Sequence, residues 1–118
     1  LAEMARLGVA LGAEPLTFQG LAGVGDLVAT CQSPLSRNRT FGENIGSGLT
    51  VQETIDITRQ TCEAYESCTP ILELGREHGV EMPITEQVVN VLHHDHSPTV
   101  MAAAFMARDT RAESDLGP

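Results

Sequence analysis

Asp26 and Thr30 stand four residues apart, and Ser36, Arg37 and Asn38 follow within the short stretch "SPLSRNR". If the segment around the first pair is helical, this spacing puts a carboxylate and a hydroxyl on one face, where both could meet a single small ligand. The second group falls just after Pro34 and at the start of a new helix, with Ser36 as its cap. Free backbone amides and the positive end of the helix dipole favour an anion at such a place. Arg37 adds a guanidinium able to grip a phosphate through two parallel hydrogen bonds. The chemistry suggested is the seating of a small phosphorylated molecule. A plainer reading uses the same residues: Arg37 as a solvated surface group, Asp26 as a cap or as the partner of a nearby arginine. Residue types and spacing leave both open.

The elements that must position these groups read as helices. Leu1, Met4, Leu7 and Leu11 recur at helical period over residues 1–12, with Gly12 as a stop and Pro15 preventing continuation. Gly20, Gly23 and Gly25 precede an apolar run, and residues 21–31 are expected to form a helix packed closely through small side chains rather than a phosphate loop. Ser36 opens the next helix, which ends near Gly46 or Gly48. "TVQE", Thr50 to Glu53, fits a capping box and starts a helix reaching about residue 59. Tyr65, Ile71, Leu72 and Leu74 mark a long helix ending at Gly79, with a bend expected near Thr69 because Pro70 lacks an amide proton. Val88, Val91 and Leu92 share a face of the helix that follows, and Ser97 and Pro98 suit the N-cap and first position of the last one. No stretch alternates like a strand, so the fold is expected to be all-α, a compact domain of about six or seven short helices. Residues 1–112 should form this domain and residues 113–118 a flexible tail.

Composition narrows the partners. At 118 residues one core suffices. A formal charge of -9 and a complete lack of lysine argue against nucleic acid and anionic membranes. No apolar run approaches the roughly 18 residues a membrane span needs, and no signal peptide is visible, so a cytoplasmic location is expected. Cys31, Cys62 and Cys68 are odd in number without a C-x-x-C spacing, and buried thiols are expected. His93, His94 and His96 around Asp95 are read as a solvated loop, because ligands so close in sequence rarely converge on one ion. Met4, Met82, Met101 and Met106 are expected in the core or at an interface. The chain opens on Leu1, already helical and uncapped, which suggests a domain of something longer.

"GLAGVGDLVATC", then "SRNRTFG", and later "GVEMPIT" resemble the C-terminal domain of the bacterial NAD(P)-dependent glycerol-3-phosphate dehydrogenases, and the resemblance covers nearly the whole chain. It implies an oxidoreductase that interconverts dihydroxyacetone phosphate and sn-glycerol 3-phosphate for glycerophospholipid synthesis. This chain would be the helical substrate domain, without the Rossmann half that carries G-x-G-x-x-G and binds most of the NAD or NADP. The family's general base is a lysine upstream of anything matching Leu1, so the chain alone is expected to be inactive.

By the same resemblance, Asp26 orients that lysine, and Asp26, Thr30, Ser36, Arg37 and Asn38 hold the substrate. Arg37 also approaches the cofactor, and Glu63 lines the cofactor pocket. The family commonly has V-E-G where this chain has "CEA", which puts Ala64 where a glycine would allow close approach. No metal site is implied. The implied partners are the substrate pair and the Rossmann half, and a homodimer is allowed. Two other classes stay in view: a free-standing helical interaction module, and the helical domain of a related 2-hydroxy acid dehydrogenase such as the 6-phosphogluconate enzymes, against which "SRNR" after "GDLVATC" argues.

Overall fold

A computed structural model describes residues 1–59 and 62–107. Among these the chain is all-α: α1 (Ala2–Ala10), a 3-10 turn (Pro15–Gln19), a π-helical turn (Leu21–Gly25), α2 (Asp26–Gln32), α3 (Arg37–Gly46), α4 (Val51–Thr58), α5 (Glu63–Glu77), α6 (Pro83–His93) and α7 (Pro98–Met106). The tail expected over residues 113–118 lies outside the described residues. No helix among the described residues is long and apolar enough to cross a membrane.

Local signals set most of the helix boundaries. Ser36 caps α3 by accepting from the Arg39 amide at 3.3 Å. Thr50 and Glu53 form the reciprocal box at the start of α4: the Thr50 hydroxyl accepts from the Glu53 amide at 3.1 Å, and Glu53 accepts from the Thr50 amide at 2.8 Å. Ser97 caps α7, with Pro98 at its first position. Gly12 takes φ of 93° just after α1, a conformation that costs glycine little. Helix α5 does not restart at Pro70 but continues through it. The Glu66 carbonyl, which thereby loses its intrahelical donor, belongs to an exposed residue that water can reach.

The glycine-rich passage differs from the single helix expected over residues 21–31. It is a π turn that becomes α-helical at Asp26. Phe18 packs tightly against this turn. A Cβ on Gly8 would overlap the Phe18 ring, and one on Gly23 would overlap the Phe18 backbone, so α1 and the π turn close on Phe18 from two sides. Close packing is thus required at Gly23, whereas a Cβ on Gly20 would touch nothing nearer than 3.9 Å.

Two apolar clusters form the core. Leu7, Cys68, Leu72, Met82 and Val89 make the first; Phe41, Ile45, Cys62 and Val91 make the second. Leu92 packs against both, so α6 serves the two clusters at once. Its cap is distant: Met82 has no side-chain cap bond, and the buried carboxylate of Glu3 accepts from the amides of Ile84 and Thr85 instead. Cys62 and Cys68 are buried as expected, but Cys31 is exposed, because α2 buries none of its side chains. Met82 is core and Met101 packs on the second cluster, while Met4 and Met106 face outward. His93, His94, Asp95 and His96 are exposed, and the His93 ring lies against Tyr65 with its Nε2 2.8 Å from the Tyr65 carbonyl oxygen.

Candidate anion-binding groove

The groove is assembled where α2 ends and α3 begins. Ser33 turns the chain: its carbonyl accepts from the Ser36 amide at 3.1 Å and its hydroxyl from the Leu35 amide at 3.2 Å. Ser36 then caps α3 by its hydroxyl, and its carbonyl accepts from the Thr40 amide at 3.0 Å. The amides of Arg37 and Asn38, in the first turn, are left without intrahelical partners, as the geometry of a helix start requires. Arg39 fixes the angle between the two helices by donating to the carbonyl of Gln32, the last residue of α2, and to Glu43 at 2.9 Å. Of the two arginines in "SRNR", Arg39 is therefore the one that joins α2 to α3.

A cavity of about 340 Å³ opens at this corner, lined by Ala29, Thr30, Ser33, Leu35, Ser36, Arg37, Asn38 and Glu63. Five of the residues singled out from the sequence meet here: Thr30, Ser36, Arg37, Asn38 and Glu63. Glu63 comes from the start of α5 and pairs with Arg37 at 3.2 Å, with the two side chains 80% and 57% exposed. So exposed a pair contributes about 0–1 kcal/mol, less than the roughly 1.5–3 kcal/mol of a hydrogen bond to a charged group, so an anionic ligand can compete for Arg37. Asn38 has a second attachment: its Oδ1 accepts from the Ala64 amide at 3.3 Å and from the Cys62 thiol at 3.0 Å.

Asp26 does not line the cavity. It is exposed at the first position of α2, one helical turn before Thr30. The sequence did not point to Ala29, Ser33 or Leu35 as wall residues; the offset of three between Ser33 and Ser36, which closes a turn, was the one usable signal. Nor did it foresee Cys62 behind Asn38, a contact made between residues 24 positions apart.

A cationic side chain, two first-turn amides without intrahelical partners and several hydroxyls are groups that can bind a small anion, and they meet here beside the Glu63 carboxylate at the rim of an all-α domain. Residues 1–103 match the family described as NAD-dependent glycerol-3-phosphate dehydrogenase C-terminus, and the chain belongs to that family. It is 61% identical over 113 residues to a glycerol-3-phosphate dehydrogenase [NAD(P)+] of Thermobifida fusca, covering 96% of this chain and 34% of the relative. With the enzyme of the same description from Streptomyces griseus the identity is 59% over the same shares. The crystal structure of glycerol-3-phosphate dehydrogenase from Coxiella burnetii matches 90% of this chain and 33% of that one, at a TM-score of 0.85 and 38% identity. The chain thus spans about a third of the length of the curated relatives it matches.

Proposed function

We propose that this domain is the substrate-binding part of an NAD(P)-dependent glycerol-3-phosphate dehydrogenase, which interconverts sn-glycerol 3-phosphate and dihydroxyacetone phosphate for glycerophospholipid synthesis. The observation that carries the reading is the placement of Arg37, the first residue of α3, in the same cavity as Thr30, Ser36 and Asn38. In this reading the phosphate sits on the Arg37 guanidinium and the first-turn amides, and Thr30 hydrogen-bonds the glycerol portion. Asp26, exposed one turn away, is open to a lysine ammonium that it would orient and whose proton affinity it would tune. The 118 residues contain no lysine, so that base comes from outside them.

The fit to a dinucleotide is partial. Arg37 and Glu63 offer one cation and one carboxylate at the cavity mouth, enough to touch an edge of NAD or NADP, but the chain has no G-x-G-x-x-G cradle. A Rossmann half therefore holds most of the cofactor, whose nicotinamide supplies or accepts the hydride. Leu16, Leu21 and Leu35, each at least 75% exposed, give that half an apolar surface to cover. The same reading carries a cytoplasmic location with it.

The test is an assay of this domain joined to its dinucleotide-binding half, following reduced cofactor with sn-glycerol 3-phosphate and with dihydroxyacetone phosphate. Turnover of both is expected. No turnover of either would sink the reading, and equal turnover of unphosphorylated glycerol would remove the role given to Arg37.

A further inference from the structure

Asn38 sits at two helix starts. It is the second residue of α3, and its Oδ1 accepts from the amide of Ala64, the second residue of α5. A backbone amide only donates, so the atom facing it is the amide oxygen and not the nitrogen. One such bond still leaves the carboxamide loose, because the terminal torsion of asparagine is broad. The Cys62 thiol donates to the same oxygen, 3.0 Å away. Cys62 itself is 4% exposed and precedes α5 without capping it, so its S–H is directed at Asn38 rather than at its own helix. Two donors meet the oxygen, the Asn38 amide nitrogen has no partner among the described residues, and Asn38 lines the cavity.

We propose that Cys62 is a positioning residue for the phosphoester seat: with the Ala64 amide it pins the Asn38 oxygen against α5, so that Asn38 offers the groove its two N–H donors. This deepens the reading of the groove as a phosphoester site and rests on it. An unpinned carboxamide would spend part of its time presenting an acceptor to an anion, which weakens binding without touching the reacting carbon. The effect belongs in KM rather than in kcat.

The experiment compares Cys62→Val, Cys62→Ser and Asn38→Ala in the complete enzyme, with KM for dihydroxyacetone phosphate, kcat and thermal unfolding measured on each. Valine removes the donor and keeps the site apolar, with a little added volume; serine keeps a donor and loses apolar volume. The expected result is a KM about threefold to tenfold higher for Cys62→Val, with kcat within about twofold of the parent, and a Cys62→Ser enzyme whose KM stays near the parent even if it melts earlier. A merely structural cysteine gives the reverse order, with valine harmless and serine impaired, and that order overturns the proposal. An unchanged KM in Cys62→Val beside a raised one in Asn38→Ala also overturns it while leaving the groove assignment standing. A parent enzyme without turnover overturns both. Should Cys62→Val not fold, Cys62→Ala removes the same donor without adding volume and carries the same expected rise.

Discussion

Glu3 and Thr85, 82 positions apart, are joined by two hydrogen bonds: Glu3 Oε2 accepts from the Thr85 amide at 3.1 Å and from its hydroxyl at 3.0 Å. The other carboxylate oxygen accepts from the Ile84 amide. The first residues of the chain thereby cap a helix that begins at Pro83. Replacing Glu3 by alanine leaves two first-turn amides of α6 unpaired in a site where the carboxylate is only 7% exposed. A loss of about 2–3 kcal/mol is expected in urea unfolding, because buried groups stripped of a charged partner cost more than an exposed cap does. A loss under about 0.5 kcal/mol would show that water reaches this helix start.

Arg37 and Arg39 should separate cleanly. Arg37→Ala removes an exposed ion pair and is expected to change stability by less than about 1 kcal/mol. In the complete enzyme it should weaken handling of the phosphorylated substrate roughly 10- to 100-fold. Arg39→Ala breaks the link from α3 to the Gln32 carbonyl, so its larger effect is expected on unfolding. Steady-state kinetics and melts of the two variants check both statements.

Glu53 gives a pH dependence with a defined sign. The Thr50 amide, and then the Thr50 hydroxyl, hold its carboxyl below the usual carboxylate range. The folded pKa is therefore the lower one, and the stabilisation is complete above the unfolded pKa and is lost as pH falls through the folded value. Amide exchange at the start of α4 is expected to quicken at acid pH, and Glu53→Gln should lack that pH-dependent part. Identical acid profiles for the two proteins would contradict this account.

Gly23 and Gly20 should respond differently to one methyl group. Gly23→Ala drives a Cβ into the Phe18 backbone and is expected to cost about 1–3 kcal/mol, whereas Gly20→Ala has room. Thermal melts of the pair test whether the π turn is shaped by Phe18.

What the sequence made legible was local. Ser36, the Thr50 and Glu53 box, and Ser97 with Pro98 each act within three residues of themselves, and a reader of the chain can place the helix starts from them. The all-α class followed from the same signals. The rest depended on contacts between distant segments. Nothing near Leu21 states that Phe18 will pack against a π turn, nothing near Met82 states that Glu3 will cap α6, and Cys31 looks as apolar as Cys68. Thr30, Ser36, Arg37 and Asn38 were visible as chemistry before they were visible as neighbours. Glu63 was named through family resemblance alone, and the ion pair with Arg37 is what brings it to the cavity. Asp26 shares the helix of Thr30 but not its wall, because a fourfold spacing fixes a face and not what that face is turned toward.

Helix α6 gives Val89 to one apolar cluster, Val91 to the other and Leu92 to both. Displacing α6 from one cluster therefore takes it from the other as well. The domain should therefore lose its shape in a single step, with the fluorescence of Tyr65 and the far-ultraviolet dichroism of the whole chain falling along one curve.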